Sequence, residues 1–138
     1  MARSDKYTSF KKKEFYSDFL INFDMNPITG TLARVTNEDS VKQSLKNLIL
    51  TNRTERPYNP IFGSRINSLL FDPLDSYTAQ NIKEEIEETI KAFEPRAILH
   101  EVFVSADEDN NGFVVNIIFS TINIPQETRI ELFLQRVR

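Results

Sequence analysis

The sequence predicts an α+β fold: a single domain in which two main helices pack on a small antiparallel sheet. Three observations support this prediction. Apolar residues recur at helical spacing over residues 78–96, and again over the shorter segment 41–49. Beyond residue 97 the apolar residues alternate with a period of two, which is typical of strands. The length of 138 residues suits one domain of this kind.

The segment 78–96 is the most regular helical pattern in the chain. Its apolar residues recur every three or four positions and so share one face of a helix; they are Ala79, Ile82, Ile86, Ile90 and Phe93. The acidic run 84–88 falls largely off that stripe, so we expect a solvated face. Glu87 and Lys91 have the spacing of a favourable ion pair on that face.

Both ends of this helix carry signals. Ser76 or Thr78 can cap the start, because a short oxygen-bearing side chain accepts a free N–H of the first turn. Pro95 disfavours helical geometry at the residue before it, so the helix should end at Glu94. Glu94 and Arg96 then flank the break between helix and sheet. Two long charged side chains at such a place can form a bidentate pair with each other or grip a partner.

Before the first helix, the aromatic-rich segment 15–23 predicts a strand or an extended segment laid across the core. Its apolar residues are Phe15, Phe19, Leu20, Ile21 and Phe23. Residues 26–30 read Asn-Pro-Ile-Thr-Gly, which predicts a turn, because proline fixes φ and glycine tolerates a positive φ. Residues 31–35 would form a short return strand.

The first helix is predicted from the apolar stripe in 41–49, with helix-start residues just ahead of it and an end near Asn52. Periodicity fails over 56–64, which has two prolines and one glycine in nine residues. This segment is predicted to be a structured loop that presents Tyr58, Ile61 and Phe62 inward or to a partner. A short helix is expected near 66–71.

Three strands are predicted after Arg96. In the first, Ile98, His100, Val102 and Val104 would share one face. Residues 107–112 end in Asn-Gly, a strong hairpin signal, and lead into an apolar face made of Phe113, Val115, Ile117 and Phe119. Pro125 is expected to break the run, and residues 128–137 form the third strand, which would be the edge of the sheet.

Composition excludes several classes of protein. The net charge of −3 gives no general attraction for nucleic acid. The absence of cysteine excludes disulfides and thiolate chemistry. No apolar run approaches the roughly 20 residues that span a bilayer.

Residues 1–14 are basic and predict a flexible, solvated arm ahead of the domain at 15–138, although an acidic protein face or a phosphate backbone could also bind it.

Catalysis has little support in the sequence. The lone histidine, His100, would have to be the base of any Ser-His-Asp arrangement, and a place on the strand surface explains it better. The acidic loop 107–112 is too short for a calcium loop and is better explained as a hairpin turn. We therefore predict no catalytic residue, no metal and no cofactor.

Five segments carry a family resemblance: NPITG (26–30), SVKQSLKNLILT (40–51), ERPYNPIFGS (55–64), LLFDPLDSYTAQNI (69–82) and FEPR (93–96). Their order resembles that of the baseplate wedge proteins of contractile-tailed phages, the sheath-initiator family marked by an EPR motif. Relatives serve in type VI secretion and other contractile injection systems. The resemblance covers nearly the whole chain from about residue 15.

The resemblance implies a structural role in a tail baseplate, with assembly in the host cytoplasm. Carried over by motif, Glu94, Pro95 and Arg96 would dock on the helical bundle of the wedge core proteins. Arg56, Pro57, Phe62 and Gly63 would support them.

The sheet would resemble the strand-exchanging domain of the sheath subunit. It would template the first sheath ring by strand addition along Arg129, Ile130, Glu131, Leu132, Phe133 and Leu134. Expected partners are wedge core proteins and the tail sheath protein, with the tail tube and neighbouring baseplate proteins as further candidates; no nucleic acid or membrane is expected. Some family members are labelled lysozyme-like, so a cell-wall hydrolase is the alternative function, and a free-standing binding module is a third.

Overall fold

A computed structural model describes residues 13–136, so most of the predicted basic arm, residues 1–12, lies outside the described residues. Two small sheets and three helices follow one another along this part of the chain. In order, the elements are β1 Ser17–Phe19, β2 Arg34–Thr36, α1 Asn37–Leu50, α2 Ile66–Leu69, α3 Ser76–Phe93, β3 Ala97–Asp107, β4 Gly112–Thr121 and β5 Ile124–Gln135. The helices α1 and α3 have the positions that the sequence predicts.

The main sheet is antiparallel with strand order β3-β4-β5, and α1 and α3 contribute their apolar faces to the same core as the sheet. The predicted apolar face of β4 is fully buried in this core. Alternate residues of β5 and the stripes of both helices complete it: Ile130, Leu132, Leu134, Val41, Leu45, Ile49, Ile82, Ile86 and Ile90. The α+β prediction, two helices on a three-stranded antiparallel sheet, is confirmed.

The predicted end of α3 is confirmed, and its predicted cap is wrong. The helix stops at Phe93, with Glu94 as its C-cap. At the start, neither Ser76 nor Thr78 is the cap: Asp75 accepts a hydrogen bond from the Thr78 N–H at 2.7 Å. Hydrogen bonds from Thr78 lower the pKa of Asp75, because they favour its charged form.

The predicted solvated face of α3 is wrong at Glu85. This carboxylate is buried and accepts hydrogen bonds from the backbone N–H of Arg65 at 2.9 Å and from its guanidinium at 3.1 and 3.3 Å. Arg53 Nη2 lies 3.4 Å from Glu85 Oε1. Two arginines from the loop regions therefore neutralise a carboxylate that the helical period alone assigns to solvent. The ion pair between Glu87 and Lys91 is confirmed at 3.7 Å.

A bulge in β3 overturns part of the predicted strand faces. Leu99 pairs with Phe119 and Glu101 pairs with Ile118, so His100 is the extra residue. An extra residue reverses the alternation. Leu99 therefore faces the core together with Val102, while Ile98 lies on the exposed face.

The segment before α1 does not cross the core. Only Ser17–Phe19 forms a strand, paired with β2 in a separate two-stranded sheet, and Phe15, Phe19, Ile21 and Phe23 are all exposed. The turn at 26–30 and the return strand are confirmed, the latter as Arg34–Thr36. Pro125 does not break the sheet either, since it is the second residue of β5. Val137, the predicted end of that strand, lies outside the described residues.

Candidate protein-docking site

At the junction between α3 and β3, a glutamate and an arginine side chain form an ion pair. Pro95 ends the helix, and the Ala97 N–H bonds back to the Glu94 carbonyl at 3.2 Å, so the chain turns within three residues. This turn brings two long side chains together. Arg96 donates from Nε to Glu94 Oε1 at 2.6 Å and from Nη2 to Oε2 at 2.7 Å. Of the two possibilities that the sequence left open for this pair, the bidentate contact is present.

Glu94 is the inner member of the pair. It is 4% exposed, and its Oε2 also accepts a hydrogen bond from Ser44 Oγ of α1 at 2.5 Å. Burial opposes ionisation of Glu94, but the hydrogen bonds from Arg96 and Ser44 outweigh burial and lower the pKa of this carboxyl. Glu94 is therefore a carboxylate that joins the end of α3 to the middle of α1.

Arg96 is the outer member. Its side chain is 35% exposed, and Glu94 uses two of the five N–H donors of the guanidinium. The Tyr16 ring lies against the guanidinium, 5.6 Å from centroid to Cζ, and the Tyr16 hydroxyl accepts a hydrogen bond from Asn123 Nδ2 at 2.7 Å. The guanidinium is thus fixed in its plane by Glu94 and on one face by Tyr16.

The predicted supporting residues lie beside this junction. Phe62 packs on Phe93, the residue before Glu94, with ring centroids 5.3 Å apart. The Arg56 guanidinium stacks on the Phe62 ring at 4.1 Å. Pro57 is exposed in the same loop. The loop therefore contacts the end of α3 through a stack of Arg56, Phe62 and Phe93.

Gly63 is buried at a position that only glycine suits. Its φ is +113°, and a Cβ there would lie 2.5 Å from the Thr51 carbonyl oxygen. The next residue, Ser64, donates its N–H to that same oxygen at 2.9 Å and its hydroxyl to the Ile49 carbonyl at 2.7 Å. The close approach of the loop to the end of α1 depends on the missing side chain. At the loop tip Tyr58 and Ile61 are exposed, so of the two orientations left open for them, they face outward.

The six residues predicted for strand addition all lie in β5, an edge strand of the main sheet. An open groove borders the middle of this strand. It is lined by β5, by the polar side of α1 and by Ile21: residues 129–132, Asp39, Lys42, Gln43 and Lys46. A second groove, between the end of α1 and α2, borders residues 133–135. The outer edge of β5 is therefore reachable along most of its length.

The hydrogen-bonding pattern with β4 shows which residues of β5 direct their backbone N–H and C=O groups to that free edge. Arg136 donates its backbone N–H to the Asn111 carbonyl, on the side of β4. Successive residues of a strand direct their N–H and C=O groups to opposite sides, and the pairing from Gly112↔Gln135 to Phe119↔Thr128 has no bulge. The odd residues therefore direct their backbone groups to the free edge: Arg129, Glu131, Phe133 and Gln135.

Several residues of this region were missed by the sequence reasoning. Ser44 contacts Glu94 from 50 positions away, and Tyr16 contacts Arg96 from 80 positions away. Asn123 reaches the pair through Tyr16. No local pattern marks them. The side-chain oxygen of Ser44 beside an apolar stripe is a weak signal that fits many surface positions equally well.

The residues considered for catalysis do not converge. His100, on the bulge, has its Nε2 2.9 Å from Ser120 Oγ, and this pair lies on the open side of the sheet. Asp107 forms the hairpin turn by accepting hydrogen bonds from the side chain and N–H of Asn110, which lower its pKa. Within residues 13–136 no group of three or more His, Cys, Asp or Glu side chains could hold a metal ion. Over the same residues no helix is long and apolar enough to cross a membrane.

Comparison with known proteins gives one family. The model of the family described as baseplate wedge protein gp25 matches residues 35–124, which include the loop 56–63 and the junction 94–96. The match ends where β5 begins. Baseplate wedge protein gp25 of Enterobacteria phage T4 is 33% identical over 88 residues, which cover 64% of this chain and 67% of the phage protein.

Two solved structures are similar in fold. A protein described as a tail lysozyme of Geobacter sulfurreducens superposes with a TM-score of 0.68 at 22% identity, over 73% of this chain and 92% of that one. A chain of the anti-feeding prophage baseplate superposes with a TM-score of 0.61 at 21% identity, over 89% of this chain and 87% of that one. At these identities the likeness concerns the fold alone.

Proposed function

Because this chain belongs to the family of baseplate wedge protein gp25, we propose that it works as a structural part of the baseplate wedge of a contractile tail, with two separate binding surfaces. The first is the junction Glu94-Pro95-Arg96, which docks on the wedge core proteins. The second is the free edge of β5, which receives a strand of the tail sheath protein. Assembly takes place in the host cytoplasm.

The docking proposal rests on one observation: within the Glu94–Arg96 pair, the glutamate is buried and the arginine is partly exposed. Glu94 is buried and has donors from Arg96 and Ser44, so its carboxylate holds the junction together from inside. Arg96 keeps N–H donors and part of its surface for a partner. A guanidinium already fixed by Glu94 and Tyr16 loses little side-chain freedom when a carboxylate or a row of carbonyls binds it.

The docking test must remove Arg96 without leaving an unpaired carboxylate inside the protein. We therefore compare Glu94→Gln with the double variant Glu94→Gln/Arg96→Ala. Both lack the buried charge, and only the first retains the guanidinium. Each is co-expressed with the wedge core proteins of the same tail and captured through a tag. Capture by Glu94→Gln and loss of capture by the double variant are expected; equal capture would overturn docking through Arg96.

Strand addition is supported by the accessible edge of β5. Its backbone donors and acceptors at the odd positions 129–135 point away from β4, and open grooves run beside it. An edge of this kind is a template on which a partner strand adds main-chain hydrogen bonds, while the groove walls select its side chains. Lys42 and Lys46 on α1 favour an incoming strand with acidic residues on that side.

A cell-wall hydrolase is the second candidate, because one protein of similar fold is described as a tail lysozyme. A glycosidase needs a general acid with a raised pKa. Glu85 and Glu94, the two carboxyls buried within residues 13–136, instead have lowered pKa values and are held by arginines. We therefore favour a role without catalysis. Purified protein should leave peptidoglycan turbidity unchanged; clearing that disappears on changing a single carboxyl would establish the hydrolase.

A further inference from the structure

Residues 15–33, which we name the apolar arm, expose a series of large apolar side chains. The exposed fraction increases from 42% at Phe15 near its root to 69% at Met25 and 92% at Ile28, at the turn that forms its tip. The other members are Phe19, Ile21, Phe23 and Leu32. Soluble proteins seldom expose so many neighbouring apolar side chains unless a partner covers them.

The apolar arm has a defined backbone even though most of its side chains are not packed. Leu20 donates its N–H to the Ala33 carbonyl at 3.0 Å, and Asn26 donates its N–H to the Thr31 carbonyl at 2.7 Å. Gln43 of α1 holds the arm by donating from Nε2 to the Phe19 carbonyl at 2.8 Å. The arm therefore presents its apolar side chains in a fixed arrangement, which favours binding because little ordering remains to be done.

Phe23 adds an independent argument. Its φ is +53°, the left-handed region that a bulky side chain rarely adopts, and its ring is 67% exposed. In the isolated chain this phenylalanine strains the backbone and gains little burial in return. Strained residues of this kind concentrate at functional sites. A contact outside this chain would explain why an aromatic ring stands where asparagine or glycine fits the backbone better.

Charges of both signs lie at the root of the arm. Arg96 is paired with Glu94 and also interacts electrostatically with Asp18 of the arm, and Lys13 lies near the Phe15 ring. The tip, by contrast, is apolar, with Met25 and Ile28 as its most exposed side chains. The complementary surface is therefore an apolar groove. The family match starts at residue 35, after the arm.

We propose that the apolar arm inserts into an apolar groove on a neighbouring protein of the same baseplate. The inference rests on the proposed function, because it takes the partner to be a baseplate protein. It adds a third binding surface that begins at Tyr16, beside Arg96, and extends outward to Ile28. Docking at Arg96 would orient the subunit, and burial of the arm would slow its dissociation.

The test compares two polar variants at exposed positions. Met25→Ser/Ile28→Ser removes the apolar tip, and Tyr77→Ser is the matched control, because Tyr77 is 75% exposed on α3, away from the arm. Each variant of the 138-residue chain is co-expressed with the other baseplate proteins of the same tail. We expect the tip variant to lower capture roughly tenfold or more, as loss of a buried apolar anchor does, and the control to bind like wild type. Equal capture by all three would overturn the inference.

The same experiment separates this inference from docking through Arg96. If the tip variant binds normally and Glu94→Gln/Arg96→Ala does not, the arm proposal fails and the docking proposal stands. The reverse result overturns docking at Arg96 and keeps the arm. If wild type captures no baseplate protein, both proposals are overturned.

Two other occupants of the arm give distinct results, and each would overturn the proposal. A wild-type dimer in sedimentation velocity that the tip variant converts to a monomer would identify a second copy of this chain. Increased binding of an apolar dye after deletion of residues 1–12, abolished by the tip substitutions, would identify the chain's own N-terminal segment as the cover.

Phe23→Asn provides a second measurement, in which thermal stability and binding to the partner should change in opposite directions. Asparagine tolerates the left-handed backbone, so the variant should melt later than wild type, by roughly 3 °C. It should nevertheless be captured less well by the baseplate partner, because the exposed ring is gone. A variant that melts earlier, or that is captured as well as wild type, would contradict a binding role for Phe23.

Discussion

Ser44 of α1 and Glu94 at the end of α3 lie 50 positions apart in the chain and share a hydrogen bond of 2.5 Å. This bond fixes the inner side of the junction, where the carboxylate also receives the Arg96 guanidinium. The acidic residue of the motif is therefore satisfied within the subunit, and the basic residue is the one that a partner can reach. Substitutions at the two positions should consequently have different effects.

Arg96→Ala should destabilise the fold. The substitution leaves Glu94 buried with Ser44 as its remaining side-chain donor. We expect a loss of about 1–3 kcal/mol of unfolding free energy, less than for a fully buried pair because Arg96 is partly exposed. Urea titration at pH 7 measures it. The double variant Glu94→Gln/Arg96→Ala should lose less unfolding free energy than Arg96→Ala alone. A larger, additive loss would show that Arg96→Ala does not leave Glu94 as an unpaired buried charge.

Stability should fall on acidification. The pKa values of Glu85 and Glu94 are lower in the folded chain than the value of about 4.3 expected when unfolded. Below that unfolded value the unfolded state binds protons first, so the stability that both carboxylates provide is present at neutral pH and is lost as pH falls through their folded pKa values.

The double variant Glu85→Gln/Glu94→Gln tests this dependence. It should be less stable than wild type at pH 7 and should show a flatter decline between pH 6 and pH 3 in urea midpoints. Parallel curves for the two proteins would mean that other carboxyls control the acid response.

Gly63→Ala should be severely destabilising, by about 2–4 kcal/mol. The added Cβ would overlap the Thr51 carbonyl oxygen, and alanine disfavours a φ of +113°. The contact between the loop and the end of α1 would open, and the Arg56–Phe62–Phe93 stack would move with it. Thermal unfolding measures the loss. Gly30→Ala is the comparison. Gly30 also has a positive φ, but no atom lies within 4 Å of an added Cβ, so this substitution should lower the stability less.

Glu131→Pro should block strand addition while the sheet remains folded. The Glu131 N–H points to the free edge of β5, so proline there removes an edge donor and no bond to β4. Sheath polymerisation on assembled baseplates is expected to stop with Glu131→Pro and to continue with Glu131→Thr. Normal polymerisation with a folded Glu131→Pro variant would exclude β5 as the receiving edge.

Removing β5 altogether is not an alternative test, because its inward residues Ile130, Leu132 and Leu134 belong to the core. Truncation after Gln126 would therefore unfold the domain and would not isolate the edge. Ala106→Pro, placed in β3 at the opposite edge of the sheet, is the informative comparison. If it stops polymerisation and Glu131→Pro does not, the sheath strand adds to β3.

Elements with local signals could be predicted from the amino-acid sequence. The helical stripe of α3, its end before Pro95, the stripe of α1 and the Asn-Gly hairpin all follow from residues within a few positions of one another. Their periodicity states which side chains share a face, and burial of that face is the strongest force on the fold. The Glu94–Arg96 pair was likewise within reach, because the two side chains flank one proline.

Other features depend on contacts between residues that are distant in sequence, and no local pattern predicts them. The bulge at His100, which turns Ile98 outward, is visible only in the pairing with β4. Glu85 is buried because Arg53 and Arg65 converge on it, and Glu94 because Ser44 meets it. The apolar arm is exposed because α1 and α3 already fill the face of the sheet that its aromatic residues would have covered. Local patterns identify the residues that favour burial. One core has too little area for all of them, so tertiary packing determines which are buried.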